Sequence, residues 1–281
     1  MKALVRNLRS PALVIALVAC AIFLFVGLFA HWLTPMDPNA QNLINRLKPP
    51  MTPGHPLGTD QLGRDVLSRL IAGTQVPMIV AAVSVSLSVI IGVAVGLFSG
   101  YVGGIADTVL MRLTDTWMAF PFILLAIAFV GVLGPGLQNV IIALVASQWA
   151  IYVRLVRGQV LSVKEREFVL SARMLGVSDV RIVLQHILPA VLPSVTILAT
   201  LEVGIVIATE ASLSFLGLGV SASQATWGGM LSEGRAYLSS AWWLASLPGI
   251  IIFLVVMAIN VLGNEIRQMT DPRASGSAAA A

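Results

Sequence analysis

Two stretches of this chain place charge-bearing side chains close together. The first is His55-Pro56-Leu57-Gly58-Thr59-Asp60-Gln61-Leu62-Gly63-Arg64-Asp65-Val66-Leu67-Ser68-Arg69-Leu70. A His with two Asp and two Arg is raw material for an acid–base or metal site. The carboxylates stand five residues apart with Arg64 beside Asp65, which points to capping and ion pairing instead. A metal cage needs more ligands. Asp60 is suited to N-cap a short helix, with Leu62, Val66, Leu67 and Leu70 as its apolar stripe and Gly73 as its stop. The second stretch is the apolar run 190–213, which holds Glu202 and Glu210, eight apart and so near one helix face. A carboxylate at bilayer depth is costly and is a functional candidate by default. The plainer expectation is that Glu210 caps or pairs near the outer interface, and that Glu202 is protonated or paired with another helix. If either faces a central cavity, it could pair with a substrate amine.

No other chemistry gathers. There is no G-x-x-x-x-G-K-[ST] stretch to cradle ATP phosphates, no H-E-x-x-H and no Ser–His–Asp pattern of known spacing. His31, His55 and His186 are scattered, so no zinc site is expected. Cys20 is the single cysteine, a small apolar residue in a helix. No catalytic residue, metal or cofactor is expected in this chain, and no basic patch suited to nucleic acid.

Composition says what must position these groups. Only 11% of residues are charged and 57% are hydrophobic, against about 25% charged in soluble domains. The chain is expected to be all-α and membrane-embedded. Apolar runs at about 11–30, 77–100, 118–133, 138–153, 190–213 and 244–262 predict six spans. Gly92, Gly96 and Gly100 give the second span a smooth strip for close helix approach. Pro121 opens the third span and is expected to bend it. Trp242 and Trp243 suit an interfacial aromatic belt.

Between the fourth and fifth runs lies a polar island, Lys164 to Gly176, then on to His186-Ile187-Leu188-Pro189. Phe168, Ala172 and Leu175 fall on one helix face. Ser162 with Glu165 could form a capping box, and Gly176 sits where a left-handed stop is needed. Ser178 or Asp179 could cap a second short helix ending before Pro189. The spacing alone describes a helix–Gly–helix elbow with an apolar face, or a packed surface helix without a partner.

This elbow resembles the cytoplasmic coupling loop of ABC importer permeases. That pattern is Glu-Ala-Ala, three residues, Gly, nine residues, Ile, any residue, Leu-Pro. Leu170-Ser171-Ala172 stand at the triplet, Gly176 at the Gly and Leu188-Pro189 at the end, with His186 in place of Ile. The His55–Leu70 string, the run 101–121 and Glu210 to Gly219 resemble the dipeptide, oligopeptide and nickel branch of these permeases. The branch usually has Asp where Asn264 stands.

The resemblance implies a type I importer permease fold with six spans and a cytoplasmic coupling helix. The expected divisions are 1–33, an N-terminal segment and first span; 34–76, an extracytoplasmic loop with an amphipathic helix; 77–265, a five-helix core with elbow 162–189; and 266–281, a cytoplasmic tail whose end 274–281 looks appended. It implies a homologous second permease subunit, two cytoplasmic ATPases that bind ATP and Mg, an extracytoplasmic solute-binding protein and a bilayer. Phe168, Leu170, Ser171, Ala172, Leu175 and Gly176 would couple to the ATPase, while Glu202 and Glu210 are substrate-pathway candidates. Most of the 17 Lys and Arg residues fall at the termini and elbow, which predicts both termini in the cytoplasm of a bacterial inner membrane. The function implied is ATP-driven import of di- or oligopeptides or a related small solute. The alternative is a stand-alone proton- or ion-coupled transporter using Glu202 and Glu210, but no internal repeat is evident and the elbow is left unexplained.

Overall fold

The computed structural model describes residues 11–221 and 224–270. The expectations placed on the basic residues within 1–10 and 271–281, and on the 274–281 tail, lie outside the described residues. Eleven α-helices occur among those described, with two isolated β-bridges and no strand. In lipid every backbone polar group must be satisfied within its own segment, so an apolar chain of this kind folds as helices.

In chain order the helices are α1 Pro11–Leu33, α2 Val66–Ala72, α3 Gln75–Val102, α4 Gly104–Met118, α5 Phe122–Leu133, α6 Leu137–Val163, α7 Glu167–Met174, α8 Asp179–Ile182, α9 Leu188–Phe215, α10 Trp227–Gly234 and α11 Trp243–Thr270. Five spans are long and apolar enough to cross a membrane, and six if the bent pair α4–α5 counts as one. The bend between α4 and α5 is 86° and falls at Pro121. Helix α5 is only 12 residues, or about 18 Å, too short to cross by itself.

Helices α3 and α6 form the spine. A Cβ added at Gly92 would lie 2.2 Å from the Tyr152 Cβ, one at Gly96 2.7 Å from the Val156 Cβ, and one at Gly100 2.8 Å from the Val160 Cβ. The glycine strip therefore accepts a ladder of side chains at four-residue spacing from α6. Two apolar cores flank this spine. One, at the α2 end, gathers Phe23, Val66, Leu70, Val80, Trp227 and Trp243. The other, at the elbow end, gathers Leu97, Tyr152, Val156, Val160, Val169 and Ile187.

Several local expectations change. Asp65, not Asp60, caps α2, its carboxylate accepting from the Ser68 N–H at 2.8 Å; Gly73 does end the helix. Asp60 is drawn away by two arginines, described below. The fourth span does not end near 153, because Val153, Val156, Val160 and Val163 continue a buried stripe and carry α6 to Val163. Ser162 is thus inside α6, and no capping box forms with Glu165; α7 starts at Glu167 after Arg166. The helix after Gly176 does not stop before Pro189. It passes through a π-turn, Val183–Ile187, where the Leu188 N–H bonds to the Val183 carbonyl, and runs on into α9. Pro189 lies in the first turn after that widened segment, where a proline is tolerated. Trp243 is no belt residue: it is buried in the α2-end core, while Trp242 is exposed.

The glycine spine gives a direct test. Gly92→Ala should lower the thermal-unfolding midpoint of the detergent-solubilised protein, with a cost of about 1–3 kcal/mol from overpacking. Gly131→Ala, where nothing lies within 4 Å of the added Cβ, should leave that midpoint nearly unchanged.

Candidate functional site

The elbow is a small apolar-based platform. Val169 and Ala172 of α7 face inward, with Ile182 and Ile187 beyond the turn, and all four pack in the elbow-end core. Gly176 has φ +75°. Its N–H donates to the Arg173 carbonyl at 3.0 Å, and the Val177 N–H donates to the Ala172 carbonyl at 3.1 Å. This is the left-handed helix stop expected from the sequence, and it turns the chain toward α8. The shared face expected for Phe168, Ala172 and Leu175 is split. Ala172 is buried, whereas Phe168 and Leu175 are exposed, Leu175 by 83%. Leu170 and Ser171 are also exposed. Met174 and Val180, which the sequence reading did not single out, add to the outward apolar surface at 82% and 70% exposure. The signal for them was present in the pattern, since Met174 neighbours Leu170 and Ser171 on a helix surface.

Polar contacts tie the elbow to α3 and α4. The Tyr101 hydroxyl donates to Asp179, and the Arg173 guanidinium lies 5.8 Å from the Tyr101 ring centroid. Hydrogen bonding to Tyr101, followed by Asp179 and Glu165, raises the Arg173 pKa above its ordinary value. Lys164 Nζ donates to the Gly100 carbonyl at 3.1 Å. Arg157 grips Asp107 through two bonds of 2.6 and 2.7 Å. None of these pairs was visible as a short-range sequence pattern, because each joins residues far apart in the chain.

At the other end, the His55–Leu70 string forms a buried charge network. Asp60 accepts from the Leu62 and Arg64 N–H groups at 2.8 and 2.9 Å, from Arg64 Nε at 2.6 Å and from an Arg69 guanidinium nitrogen at 2.8 Å. Arg64 and Arg69 both reach Glu233 of α10, at 2.7 and 3.4 Å. His55 Nδ1 pairs with Asp65 at 3.0 Å. Two arginines thus balance two carboxylates and pin α10 to α2. Trp227 reinforces this by donating to the Leu70 carbonyl at 3.0 Å. The network is an ion-pair clamp, as the spacing indicated, and among the described residues no group of three or more His, Cys, Asp and Glu could hold a metal.

Glu202 and Glu210 share a helix but not an environment. Glu202 accepts from Gln148 Nε2 of α6 at 2.9 Å. It lines a cavity of about 400 Å³ with Trp117, Phe120, Phe122, Gln148 and Ile151. Glu210 is 1% exposed and accepts from Ser214 Oγ at 2.6 Å on its own helix. Its other oxygen, Oε2, is buried with no partner among the described residues, and Glu210 does not line the cavity that holds Glu202.

Residues 92–276 match the family of binding-protein-dependent transport system inner membrane components, and residues 2–50 match the N-terminal TM domain of oligopeptide transport permease C. The chain is 42% identical over 258 residues to the nickel transport system permease protein NikC of Escherichia coli (strain K12), covering 92% of this chain and 93% of that protein. It is 40% identical over 262 residues to the di/tripeptide transport system permease protein DppC of Pseudomonas aeruginosa (strain UCBPP-PA14), covering 92% and 86%. To the probable D,D-dipeptide transport system permease protein DdpC of E. coli (strain K12) it is 38% identical over 267 residues, covering 95% and 89%. The fold is shared with the MetNI methionine ABC transporter in an inward facing conformation, at TM-score 0.58 and 20% identity, covering 72% of this chain and 97% of that one. The chain belongs to the binding-protein-dependent transport system inner membrane components, the permease subunits of ABC importers, in the branch that includes nickel and dipeptide permeases.

The clamp makes a prediction independent of transport. Asp60→Asn leaves two buried guanidinium groups short of charge and should cost about 3–5 kcal/mol. Asp115→Asn, which breaks an exposed pair with Arg154, should cost under about 1 kcal/mol. Thermal unfolding of the two variants side by side checks the difference.

Proposed function

We propose that this chain is one of two permease subunits of an ATP-driven importer for di- or oligopeptides or a related small solute. Two ATPase subunits, which bind ATP and Mg, work at its elbow, and an extracytoplasmic solute-binding protein delivers cargo at the opposite end. The termini and the elbow lie in the cytoplasm. The observation that carries this reading is the elbow's division into an anchored base and an outward apolar surface. Val169, Ala172, Ile182 and Ile187 are fixed in the protein, while Phe168, Met174, Leu175 and Val180 are left uncovered. Burying one such side chain is worth about 1.5–3 kcal/mol, so four together can hold a partner. Leu170 and Ser171 border that surface, and Gly176 sets the angle between its two halves.

The mechanism follows from what the elbow is joined to. When ATP closes the ATPase pair, the elbow moves with it. Tyr101–Asp179, Arg173 and Lys164 pass that displacement to α3, and the continuous backbone passes it to α6 and α9. The ATPase contact must differ between inward- and outward-open states, since a partner with equal affinity for both shifts nothing. The peptide reading of the cargo is supported by the match to the oligopeptide permease N-terminal domain and by the relatives named for dipeptides. A proton-coupled transporter working alone would leave the uncovered elbow without a role.

Leu175→Asp should insert and fold normally, because the residue touches little of its own chain, yet weaken capture of the ATPase at least about tenfold. Gly176→Val should likewise reach the membrane but abolish uptake, because a β-branched residue resists φ +75°. Co-purification from native membranes and peptide-stimulated ATP hydrolysis check both. Normal coupling in the two variants would sink the elbow reading.

A further inference from the structure

We infer that the cavity enclosed by the α4–α5 bend, α6 and α9 is a subsite for the protonated amino group of the cargo, with Glu202 as its counter-charge. This rests on the importer reading above and adds the chemistry of the ligand. The cavity holds about 400 Å³, room for a small polar head with its first side chain. Its polar wall is short of donors. Trp117 Nε1 donates to the Ala146 carbonyl at 2.6 Å, and Ser147 Oγ donates to the Ala143 carbonyl at 2.6 Å. Gln148 Nε2 donates to Glu202 Oε2. That bond fixes the amide and leaves Gln148 Oε1 buried with no partner on a side chain only 5% exposed. Glu202 Oε1 accepts no hydrogen bond among the described residues either. An orphaned buried acceptor and a half-used carboxylate call for a ligand that brings N–H donors.

No Lys, Arg or His lines the cavity. A positive charge opposite an ionised Glu202 would therefore come from the ligand. Trp117, Phe120 and Phe122 supply aromatic walls, which suit an ammonium group and an apolar side chain together. A bare transition-metal ion fits less well. It would seek imidazole, thiolate or thioether, and the cavity offers one carboxylate, one amide oxygen and only the Met118 thioether as a soft ligand. A protonated amine with three N–H donors fits both acceptors and the charge. Glu210 does not line this cavity: it is 1% exposed, with one oxygen bonded to Ser214 and Oε2 buried without a partner.

The test uses the whole complex, purified in mild detergent with its second permease and ATPases. The probe is a diazirine-bearing dipeptide with a free amino terminus, beside its N-acetyl form, with adducts mapped by mass spectrometry. Labelling within residues 117–122 or 147–151 by the free amine is expected. N-acetylation and Glu202→Gln should each cut it at least about tenfold, the usual scale for losing a charged hydrogen bond. Glu202→Asp should retain most of it, and Gln148→Leu should lose several-fold. Equal labelling by both probe forms would overturn the subsite, as would wild-type labelling in Glu202→Gln. Nickel chloride that displaces the free amine while the acetyl form labels equally would also overturn it, in favour of a metal path. If Glu202→Gln does not fold, the acetyl comparison and Gln148→Leu decide. The importer reading is judged separately, by whether ATPases accompany the wild-type chain in the same preparation.

Discussion

The close approach of α3 and α6 is the contact on which the rest depends. In lipid the hydrophobic effect does not drive one helix onto another, so two spans stay together by packing. Glycines at 92, 96 and 100 remove the side chains that would hold α3 away, and Tyr152, Val156 and Val160 fill the strip. Everything functional hangs from this pair. The far end of α6 leads into the elbow, and its middle carries Gln148. The far end of α3 carries Tyr101 and Gly100, which hold the elbow in place.

The opposite end of the molecule is held by charge as well as by close packing at Gly228 and Gly234. Asp60, Arg64, Arg69 and Glu233 are mostly withdrawn from water, and desolvating them is expensive. Apolar residues of the same volume would hold α2 and α10 at least as firmly. What the network adds is register. Asp60 with two backbone N–H bonds and two guanidinium partners accepts only one arrangement of the loop around it. Glu233, 32% exposed, is the member that the second helix contributes. A loop that must present a fixed surface gains from a constraint of that kind.

Much of the architecture was readable because membrane chains reveal it by length and hydropathy. The long runs, the glycine strip and the left-handed Gly176 all rest on rules that act over a few residues. The misreadings share a cause: a contact outside the short pattern outweighed the local preference. Asp60 has good N-cap chemistry, but Arg64 and Arg69 claim its carboxylate, and Asp65 takes the cap. Ser162 and Glu165 have capping-box spacing, but α6 is buried through Val163 and cannot end earlier. Trp243 has belt chemistry, yet it packs in the core beneath the Thr59 carbonyl. Pro189 ordinarily ends a helix, and only a π-turn lets the chain continue past it. The Glu202–Gln148 pair was beyond sequence reasoning because the partners are 54 residues apart on separate helices.

Two carboxylates on one helix make the final point about transport. A permease must hold its cargo well enough to guide it and weakly enough to let it go, the balance that governs any conducting path. A free carboxylate in an apolar cavity would grip a cation strongly. One that had spent both oxygens on neighbours would ignore it. Glu202 lies between, with one oxygen engaged by Gln148 and the other open. Glu210 is also half used, one oxygen accepting from Ser214 and Oε2 buried without a partner, but it is fully buried away from the cavity that Glu202 lines. The difference lies in the neighbours. Gln148 stands across a cavity from aromatic rings, while Ser214 sits one turn further along the same helix, beneath α10. Identical side chains eight residues apart are thereby given different work by what the adjacent helices bring against them.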